Sequence, residues 1–342
     1  MKAMQLEKVS RVAENPRPLR EVERPEPRPG PGEILVRVSA CAVCHTELDE
    51  IEGRTPPPAF PVIPGHQVVG RVEALGPGAS RFAPGARVGV GWIARACGRC
   101  VYCATGRENL CDGFMATGRD VDGGYAEYMT VAEAFAFPVP GVFSDETAAP
   151  LFCAGAIGWR SLRLSGAGEG MSLGLTGFGA SAHLVLKLAR YRFPSITVFV
   201  FARSEAERDF ARSLGAAWAG DTKDAPPGLL DAIIDTTPAW TPVVAAMRNL
   251  KKGGRLVINA IRKESFDKAA LMELDYPQDL WLEKEIKSVA NVTRADIAEF
   301  LDLAAKVPIV PEVERFPLAD ANAALSELAS GRVRGAKVLV TG

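Results

Sequence analysis

The hydrophobic positions of the chain follow two different patterns, which change near residue 148. In roughly the first 140 residues, short stretches such as EILVRVSA (33–40) alternate apolar and polar side chains between glycine and proline turns. From about residue 150, apolar strands are followed by helical periodicity, as in MSLGLTGFGASAHLVLKLAR (171–190) and SITVFVFARSEAERDFARSLGA (195–216). The pattern predicts a β-rich domain followed by an α/β domain.

The second pattern indicates a particular kind of sheet. LDAIIDTT (230–237) and GGRLVINA (253–260) add two buried-type strands, each separated from the previous one by a helical or loop segment. Strands that alternate with helices are typical of a parallel, doubly wound sheet with helices on both faces. We therefore predict an α/β protein with a β-rich domain over 1–147 and a dinucleotide-binding domain over 148–289. The remainder, 290–342, is predicted to return to the first domain.

Charge and hydropathy narrow the class of protein. The 40 basic residues nearly balance the 41 acidic residues, which argues against a general affinity for nucleic acid or anionic membrane. The N-terminal stretch has scattered charges and no apolar core, so it does not resemble a signal peptide. The longest mostly apolar run, 148–159, is shorter than the roughly 20 residues that span a bilayer. We expect a cytoplasmic enzyme, in which thiols stay reduced.

Four of the seven cysteines lie in the stretch ACGRCVYCATGRENLC (96–111). Their spacing, C-x2-C-x2-C-x7-C, brings Cys97, Cys100, Cys103 and Cys111 within reach of one ion, and zinc prefers such a closed set of thiolates. A closed site has no open position, so this zinc would be structural. The alternatives are four free thiols or an iron–sulfur cluster.

Three dispersed residues form a second candidate metal site. Cys44, His66 and Cys153 come from three distant segments, and two thiolates with one imidazole leave the fourth tetrahedral position open for water or substrate. Each residue also has a simpler interpretation, because Cys153 suits core packing and His66 suits a hydrogen-bonded loop. The spacing alone leaves both interpretations open.

Several motifs together resemble, in the same order, those of the zinc-dependent medium-chain alcohol dehydrogenases. Besides the four-cysteine stretch they are CAVCHTEL (41–48), PGHQVVG (64–70), GGYAEY (123–128), APLFCAG (149–155) and GLTGFGASAH (174–183). The resemblance implies a GroES-like catalytic domain joined to a Rossmann coenzyme domain. It also implies one catalytic zinc on Cys44, His66 and Cys153, and one structural zinc on the four clustered cysteines. Family members form dimers or tetramers, so we expect a homodimer or homotetramer in which IKSVANV (286–292) is the candidate pairing strand. A buried strand within one subunit would have the same pattern.

The glycine turn GLTGFGASA (174–182) follows a strand and opens a helix, which is the context of a dinucleotide fingerprint. We assign Gly174, Gly177 and Gly179 to coenzyme binding, because glycines let the backbone approach the pyrophosphate. Thr176 stands where the family usually has another glycine.

The residue that selects the coenzyme is expected at the end of the second strand, at Ala202 by comparison with the family pattern. An acid there would bind the ribose of NAD, but Arg203 follows instead, and its guanidinium suits a 2′-phosphate. The sequence therefore favours NADP(H) over NAD(H). Ser204 is a second candidate for this phosphate, although with Glu207 it also matches a helix capping box. A solvated surface charge is the alternative for Arg203.

The resemblance further implies that alcohol ionises at the metal and passes hydride to the nicotinamide. Thr46 occupies the position of the hydroxyl that moves the proton outward. Asp49 stands where many relatives carry the histidine that ends this relay, so the relay would end at this carboxylate or at water. His45 is a candidate for contacting the coenzyme phosphates or, equally, a satisfied loop histidine. Gln67 replaces the glutamate that usually follows the histidine ligand.

Competing functions remain open at the level of sequence. The leading prediction is interconversion of an alcohol with its aldehyde or ketone. Trp92, Ile93 and Trp281 are apolar candidates for the pocket. A polyol or sugar dehydrogenase would use the same scaffold, and a non-catalytic zinc-stabilised binding protein would keep the fold without turnover. A zinc-free quinone reductase is disfavoured by the ligand set, and a nucleic-acid-binding zinc ribbon is disfavoured by the charge balance.

Overall fold

The computed structural model describes residues 1–307, 309–330 and 335–342. The chain divides into two compact units, of which the first consists of Met1–Cys153 and Val292–Gly342 and the second of Ala154–Asn291. The C-terminal part of the chain belongs to the first unit.

The boundary near residue 150 lies after Cys153 rather than between residues 147 and 148. The intervening 3-10 turn, Ala149–Phe152, is buried within the first unit. The Phe152 ring fills the space above Gly89, where a Cβ atom would lie only 2.0 Å from the ring. This close packing attaches the segment that precedes Cys153 to the first unit.

The helices, in chain order, are α1 (His45–Ile51), α2 (Val101–Ala104), α3 (Asp145–Ala148), α4 (Ala154–Ser165), α5 (Ala180–Arg192), α6 (Glu205–Ser213), α7 (Thr241–Arg248), α8 (Arg294–Lys306) and α9 (Ala321–Ala329). Short 3-10 or π turns are formed by Glu108–Leu110, Glu133–Phe135, Ala149–Phe152, Lys268–Glu273, Tyr276–Leu280 and Leu318–Asp320. No helix in the described ranges combines the length and apolar character needed to cross a bilayer.

The strands of the first unit are β1 (Lys2–Leu6), β2 (Leu19–Glu23), β3 (Glu33–Val43), β4 (Gln67–Leu75), β5 (Arg87–Val90), β6 (Ile93–Arg95), β7 (Met115–Ala116), β8 (Tyr128–Ala132), β9 (Ala136–Pro138), β16 (Val313–Pro317) and β17 (Ala336–Val340). Those of the second unit are β10 (Ser172–Thr176), β11 (Thr197–Phe201), β12 (Trp218–Gly220), β13 (Leu230–Asp235), β14 (Leu250–Ile258) and β15 (Glu285–Ser288).

The first unit is built on a mostly antiparallel sheet of order β16-β17-β3-β4-β5-β9, with β8 also paired to β3. The central strand β3 is buried along most of its length, and only Arg37 is exposed. Two smaller sheets, β1-β2 and β6-β7, complete the unit. The predicted β-rich domain is confirmed.

The second unit contains a parallel sheet of order β12-β11-β10-β13-β14-β15. The order reverses between β10 and β13, and in open α/β sheets ligands bind at the carboxyl ends of the strands at such a point. The sheet packs through an apolar cluster of Phe199, Phe201, Leu230, Ile233, Val243, Met247, Leu250 and Leu256. This order confirms the predicted doubly wound sheet.

Candidate metal and coenzyme sites

Three segments of the first unit bring Cys44, His66 and Cys153 together. Cys44 is the N-cap residue of α1, His66 immediately precedes β4, and Cys153 follows the turn Ala149–Phe152. Their sulfur and ring nitrogen atoms all lie within 4.8 Å of one another. We refer to these three residues as the open site.

The pairing of β3 with β4 explains why two of the three ligands meet. The strands are antiparallel, and Ala42 lies opposite Gln67. The end of β3, which leads into Cys44, therefore lies beside the beginning of β4, which follows His66. Sheet register, rather than loop conformation, brings these two ligands together.

Gly65 sets the backbone that delivers His66. Its φ of +101° belongs to the left-handed region that favours glycine. A Cβ atom at this position would lie 2.4 Å from the Tyr125 ring and 2.9 Å from the Cys41 sulfur. Only glycine fits here, and Cys41 is a buried packing residue beside the open site.

A buried carboxylate connects two of the ligands. Glu47, in the first turn of α1, is fully buried. Its Oε2 accepts a hydrogen bond of 2.8 Å from the backbone N–H of Cys44, and its Oε1 is hydrogen-bonded to Nδ1 of His66. One side chain therefore fixes both the thiol segment and the orientation of the imidazole.

The open site fits a zinc ion. Because Nδ1 of His66 is bound to Glu47, Nε2 is left to act as the ligand; it is buried and lacks a hydrogen-bond partner among the described residues. A carboxylate on the distal nitrogen of a ligating histidine is a recurrent feature of zinc sites. Two sulfur atoms and one nitrogen leave a fourth position for water or substrate.

The protonation of the open site also suits a cation. A hydrogen bond with Cys153 lowers the pKa of Cys44 well below its usual value, while that same hydrogen bond and burial raise the pKa of Cys153. Burial favours the neutral form of His66, but the Glu47 carboxylate and the Cys44 sulfur together outweigh it and raise the pKa of the ring. The three side chains of the open site therefore hold protons in hydrogen bonds with one another, and a bound metal ion would displace those protons.

The structure places the predicted relay residues on α1. Thr46 is half-buried, with its hydroxyl 3.6 Å from the Cys44 sulfur, so it lies at the open site. Asp49 is buried and accepts a hydrogen bond of 2.5 Å from Nε of Arg54. His45 is exposed. Of the three, Thr46 is in contact with a ligand.

The four clustered cysteines form the second group. Their sulfur atoms lie within 4.8 Å of one another, in a lobe that contains α2 and is closed by the pairing of β6 with β7. Backbone N–H groups point at the sulfur atoms, including Cys97 N–H to Cys111 at 3.3 Å and Cys100 N–H to Cys97 at 3.4 Å. Such amide donors stabilise thiolates, and those of Arg99 and Cys100 lower the pKa of Cys97 to about 6.

The lobe is tied to the rest of the first unit by an ion pair. Glu108 is buried, and its carboxylate accepts hydrogen bonds from the backbone N–H of Arg294 at 2.8 Å and from its guanidinium at 3.1 Å. Arg294 begins α8, so the lobe is held by the C-terminal return of the chain.

The glycine turn lies at the switch point of the second unit's sheet. Gly177 has a φ of +79°, and a Cβ atom there would lie 2.7 Å from the hydroxyl of Thr236. Gly179 is the N-cap of α5, and a Cβ atom there would meet nothing within 4 Å, so the helix N-terminus is open to a ligand. Gly174 lies inside β10, where its missing side chain makes room for Leu230. Gly174 therefore serves strand packing, and its assignment to coenzyme binding stays a prediction.

The turn after β11 carries the predicted coenzyme-selecting residues. Arg203 is exposed. The hydroxyl of Ser204 accepts a hydrogen bond from the Glu207 N–H at 3.2 Å, and the Glu207 carboxylate accepts one from the Ser204 N–H. The capping box is therefore formed. Arg208, which the sequence did not single out, donates to the backbone oxygens of Ala202 and Arg203 and fixes the turn.

The remaining predicted positions differ in burial. Trp92 is half-buried in the first unit, whereas Ile93 is completely buried within β6. Trp281, in the second unit, is largely exposed beside Tyr276, with ring centroids 5.9 Å apart. The strand β15 covers the start of IKSVANV and lies at the edge of its sheet with all its side chains exposed.

Comparison with known proteins identifies the family. Residues 30–141 match the model of the alcohol dehydrogenase GroES-like domain. The chain is 43% identical over 328 residues to a probable alcohol dehydrogenase, AdhA, of Mycobacterium tuberculosis, covering 94% of this chain and 93% of the relative. The chain belongs to the medium-chain alcohol dehydrogenase family. The resemblance seen in the sequence motifs is confirmed, and as a family member the chain is an oxidoreductase.

Solved structures agree with this family. A cobalt- and zinc-bound thermostable alcohol dehydrogenase from Pyrobaculum aerophilum is 25% identical, with a TM-score of 0.85 and 99% coverage of both chains. A putative zinc-binding dehydrogenase from Sinorhizobium meliloti, bound to NADP, is 26% identical, with a TM-score of 0.84 and coverage of 99% of this chain and 98% of the other.

Sequence reasoning did not single out Glu47, which holds the open site of this alcohol dehydrogenase together. A signal was present, because Glu47 follows Cys44 by three residues, the spacing of a capping box. The structure forms that box with the cysteine sulfur as the cap. The usual capping residues are Ser, Thr, Asp and Asn, so a cysteine at this position hides the pattern.

The link between Glu47 and the open site leads to a first prediction. Glu47→Gln preserves size but replaces the carboxylate, so we expect zinc affinity at the open site to fall by about 10- to 100-fold. Competition with a chromophoric chelator measures this affinity, and the zinc of the four-cysteine lobe serves as an internal control. Glu21→Gln, at an exposed position of β2, is the matched variant. Equal affinity in both variants would contradict the role of Glu47.

Proposed function

We propose that the chain is a zinc-dependent alcohol dehydrogenase that interconverts an alcohol and its aldehyde or ketone, with hydride transferred to or from a nicotinamide dinucleotide. The observation that carries this proposal is the open site: Cys44, His66 and Cys153 converge, and the buried Nε2 of His66 is left available for a metal. Membership in the alcohol dehydrogenase family supports the same reaction.

The two cysteine-containing groups suit two different roles. The open site offers three ligands and would hold the catalytic zinc, a Lewis acid that lowers the pKa of an alcohol. The four-cysteine lobe offers four thiols and would hold a structural zinc, since no position remains for substrate. The cobalt and zinc of the Pyrobaculum relative are consistent with metal binding in this fold.

Thr46 is proposed to move the proton that the alcohol loses. Its hydroxyl is next to the Cys44 sulfur and is partly exposed, so it can accept a proton from the alcohol oxygen and donate its own outward. Asp49 lies one turn further along α1 and is the proposed end of this relay. Its carboxylate also accepts a hydrogen bond from Nε of Arg54, which fixes its position on the helix.

The relay can be tested with a pair of substitutions. Thr46→Val removes the hydroxyl while keeping the shape, so we expect turnover to fall about 100-fold or more with zinc content unchanged. Thr46→Ser retains a hydroxyl and should keep most of the activity. Turnover numbers and zinc per chain are measured for both variants. A valine variant as active as the serine variant would remove Thr46 from the mechanism.

The coenzyme is proposed to bind at the switch point of the second unit, with its pyrophosphate at the N-terminus of α5. The positive φ of Gly177 and the open space at Gly179 support this position. NADP(H) is the proposed form, because Arg203 is exposed after β11 and an acid is absent at Ala202. Ser204 keeps its hydroxyl in the cap of α6, and its part in binding the 2′-phosphate is secondary.

The reaction and the coenzyme are tested together by initial rates of the zinc-loaded protein with NADP and NAD, across primary, secondary, aromatic and polyol alcohols. We expect turnover of at least one alcohol class, with NADP preferred. Arg203→Ala should lower the preference for NADP by about tenfold or more, because a charge-assisted hydrogen bond is worth roughly 1.5–3 kcal/mol. Arg28→Ala, an exposed position of the first unit, is the control.

Two results of these rate measurements would contradict the proposal in different ways. A strong preference for NAD would contradict only the proposed role of Arg203 and would leave the dehydrogenase reaction standing. A zinc-loaded protein without turnover on any alcohol or carbonyl would contradict the dehydrogenase and favour a zinc-stabilised binding protein.

A homodimer or homotetramer is proposed from the edge strand β15. This strand presents unpaired backbone groups at one side of the parallel sheet, and such edges pair readily with another chain. A cytoplasmic location is proposed from the reduced thiols that both metal groups require.

A further inference from the structure

Glu50 is a buried carboxyl group that the proposed mechanism does not use. It lies on α1 and is only 1% exposed. Its Oε1 accepts a hydrogen bond of 3.1 Å from the indole N–H of Trp92, while its Oε2 is buried without a hydrogen-bond partner in the described part of the chain. Burial of such a group is costly, so its presence calls for a function.

The location of Trp92 indicates what that function is. The preceding residue, Gly91, packs so closely that a Cβ atom there would lie 3.0 Å from the backbone oxygen of Phe152, the neighbour of Cys153. The backbone oxygen of Gly91 also accepts a hydrogen bond of 2.9 Å from the Thr117 hydroxyl. The backbone of Trp92 is therefore anchored beside the segment that supplies one ligand of the open site.

The other end of Trp92 is attached to the helix that supplies a second ligand. Its indole nitrogen binds Glu50, and Glu50 follows Thr46 by four residues, so both side chains lie on the same face of α1. The indole also packs against the Phe114 ring, with centroids 5.4 Å apart. The half-buried Trp92 side chain thus runs from a backbone that lies beside the Cys153 segment to the helix whose N-cap is Cys44.

The charge of Glu50 is compatible with this attachment. Burial, reinforced by the Glu47 carboxylate, raises the pKa of Glu50 to about 8. An oxygen of the carboxyl group accepts the indole N–H whether or not the group is protonated, so the attachment holds in both states.

We propose that Glu50 is a positioning residue that sets the size selectivity of the enzyme, because it holds the Trp92 indole in one orientation as a wall of the alcohol site. This inference rests on the proposed function of the open site. With the hydrogen bond in place, the ring restricts the space beside the metal position. Without it, the ring is free to rotate, and bulkier alcohols gain access relative to small ones.

The test is a double-mutant cycle on substrate selectivity. The measured quantity is the ratio of kcat/KM for ethanol to that for benzyl alcohol. Hydrophobic pockets discriminate substrates by about 10- to 200-fold per methylene. We therefore expect Glu50→Leu to lower this ratio by about fivefold or more, because the bulkier alcohol gains access. Glu50→Gln keeps an acceptor oxygen and should stay within about twofold of the wild type. In a Trp92→Phe background, which lacks the indole N–H, Glu50→Leu should have no further effect.

A second measurement reports the hydrogen bond without any turnover. In protein labelled with ¹⁵N at the indole nitrogens, Trp92→Phe identifies the Trp92 resonance among the five tryptophans. Glu50→Leu should shift that resonance and speed its exchange with solvent, and Glu50→Gln should largely preserve it. Zinc content is compared in all variants, so that loss of the metal is recognised.

The outcomes separate this inference from the proposed function. An active wild type whose selectivity ratio is unchanged by Glu50→Leu would overturn the inference. So would a Glu50→Leu effect that persists at full size in the Trp92→Phe background, since it would then act by another route. A wild type without alcohol turnover would overturn the proposed function itself, and with it the selectivity role.

Discussion

The hydrogen bonds of Glu47 are the interaction on which the open site depends. Each oxygen of this carboxylate binds a different segment, the Cys44 backbone on one side and the His66 ring on the other. A fully buried carboxylate is costly unless it is paired, and here both partners belong to the ligand set. The same bond occupies Nδ1 and leaves Nε2 as the ring nitrogen available to the proposed metal.

The surrounding fold supports this arrangement with rigid elements. The pairing of β3 with β4 sets the distance between the segments of Cys44 and His66, and the packing of Phe152 on Gly89 holds the segment of Cys153. Sites built on strands and helix ends are preorganised, so little conformational entropy is lost when a metal binds. The parallel sheet of the second unit carries the proposed coenzyme turn at its own switch point.

The sequence predicted those features that spacing and residue type determine. The two domains, the parallel sheet and the seven candidate ligands all follow from periodicity or from motifs. Features that depend on tertiary partners were not predictable in this way. Gly174 packs beside Leu230, Asp49 is paired with Arg54, and Glu50 is bound to Trp92. Residue type and spacing do not reveal these partners. Glu47 was predictable only in part. Its spacing of three residues from Cys44 matches a capping box, but a cysteine is an unusual capping residue.

The most direct test of the account is the metal content of the purified, zinc-loaded chain and of Cys153→Ser, measured by native mass spectrometry together with alcohol turnover. The account predicts two zinc ions in the wild type, one for each group of ligands, and loss of one ion together with turnover in the variant. A Cys153→Ser variant that keeps both ions and its turnover would contradict the claim that the open site holds the catalytic metal.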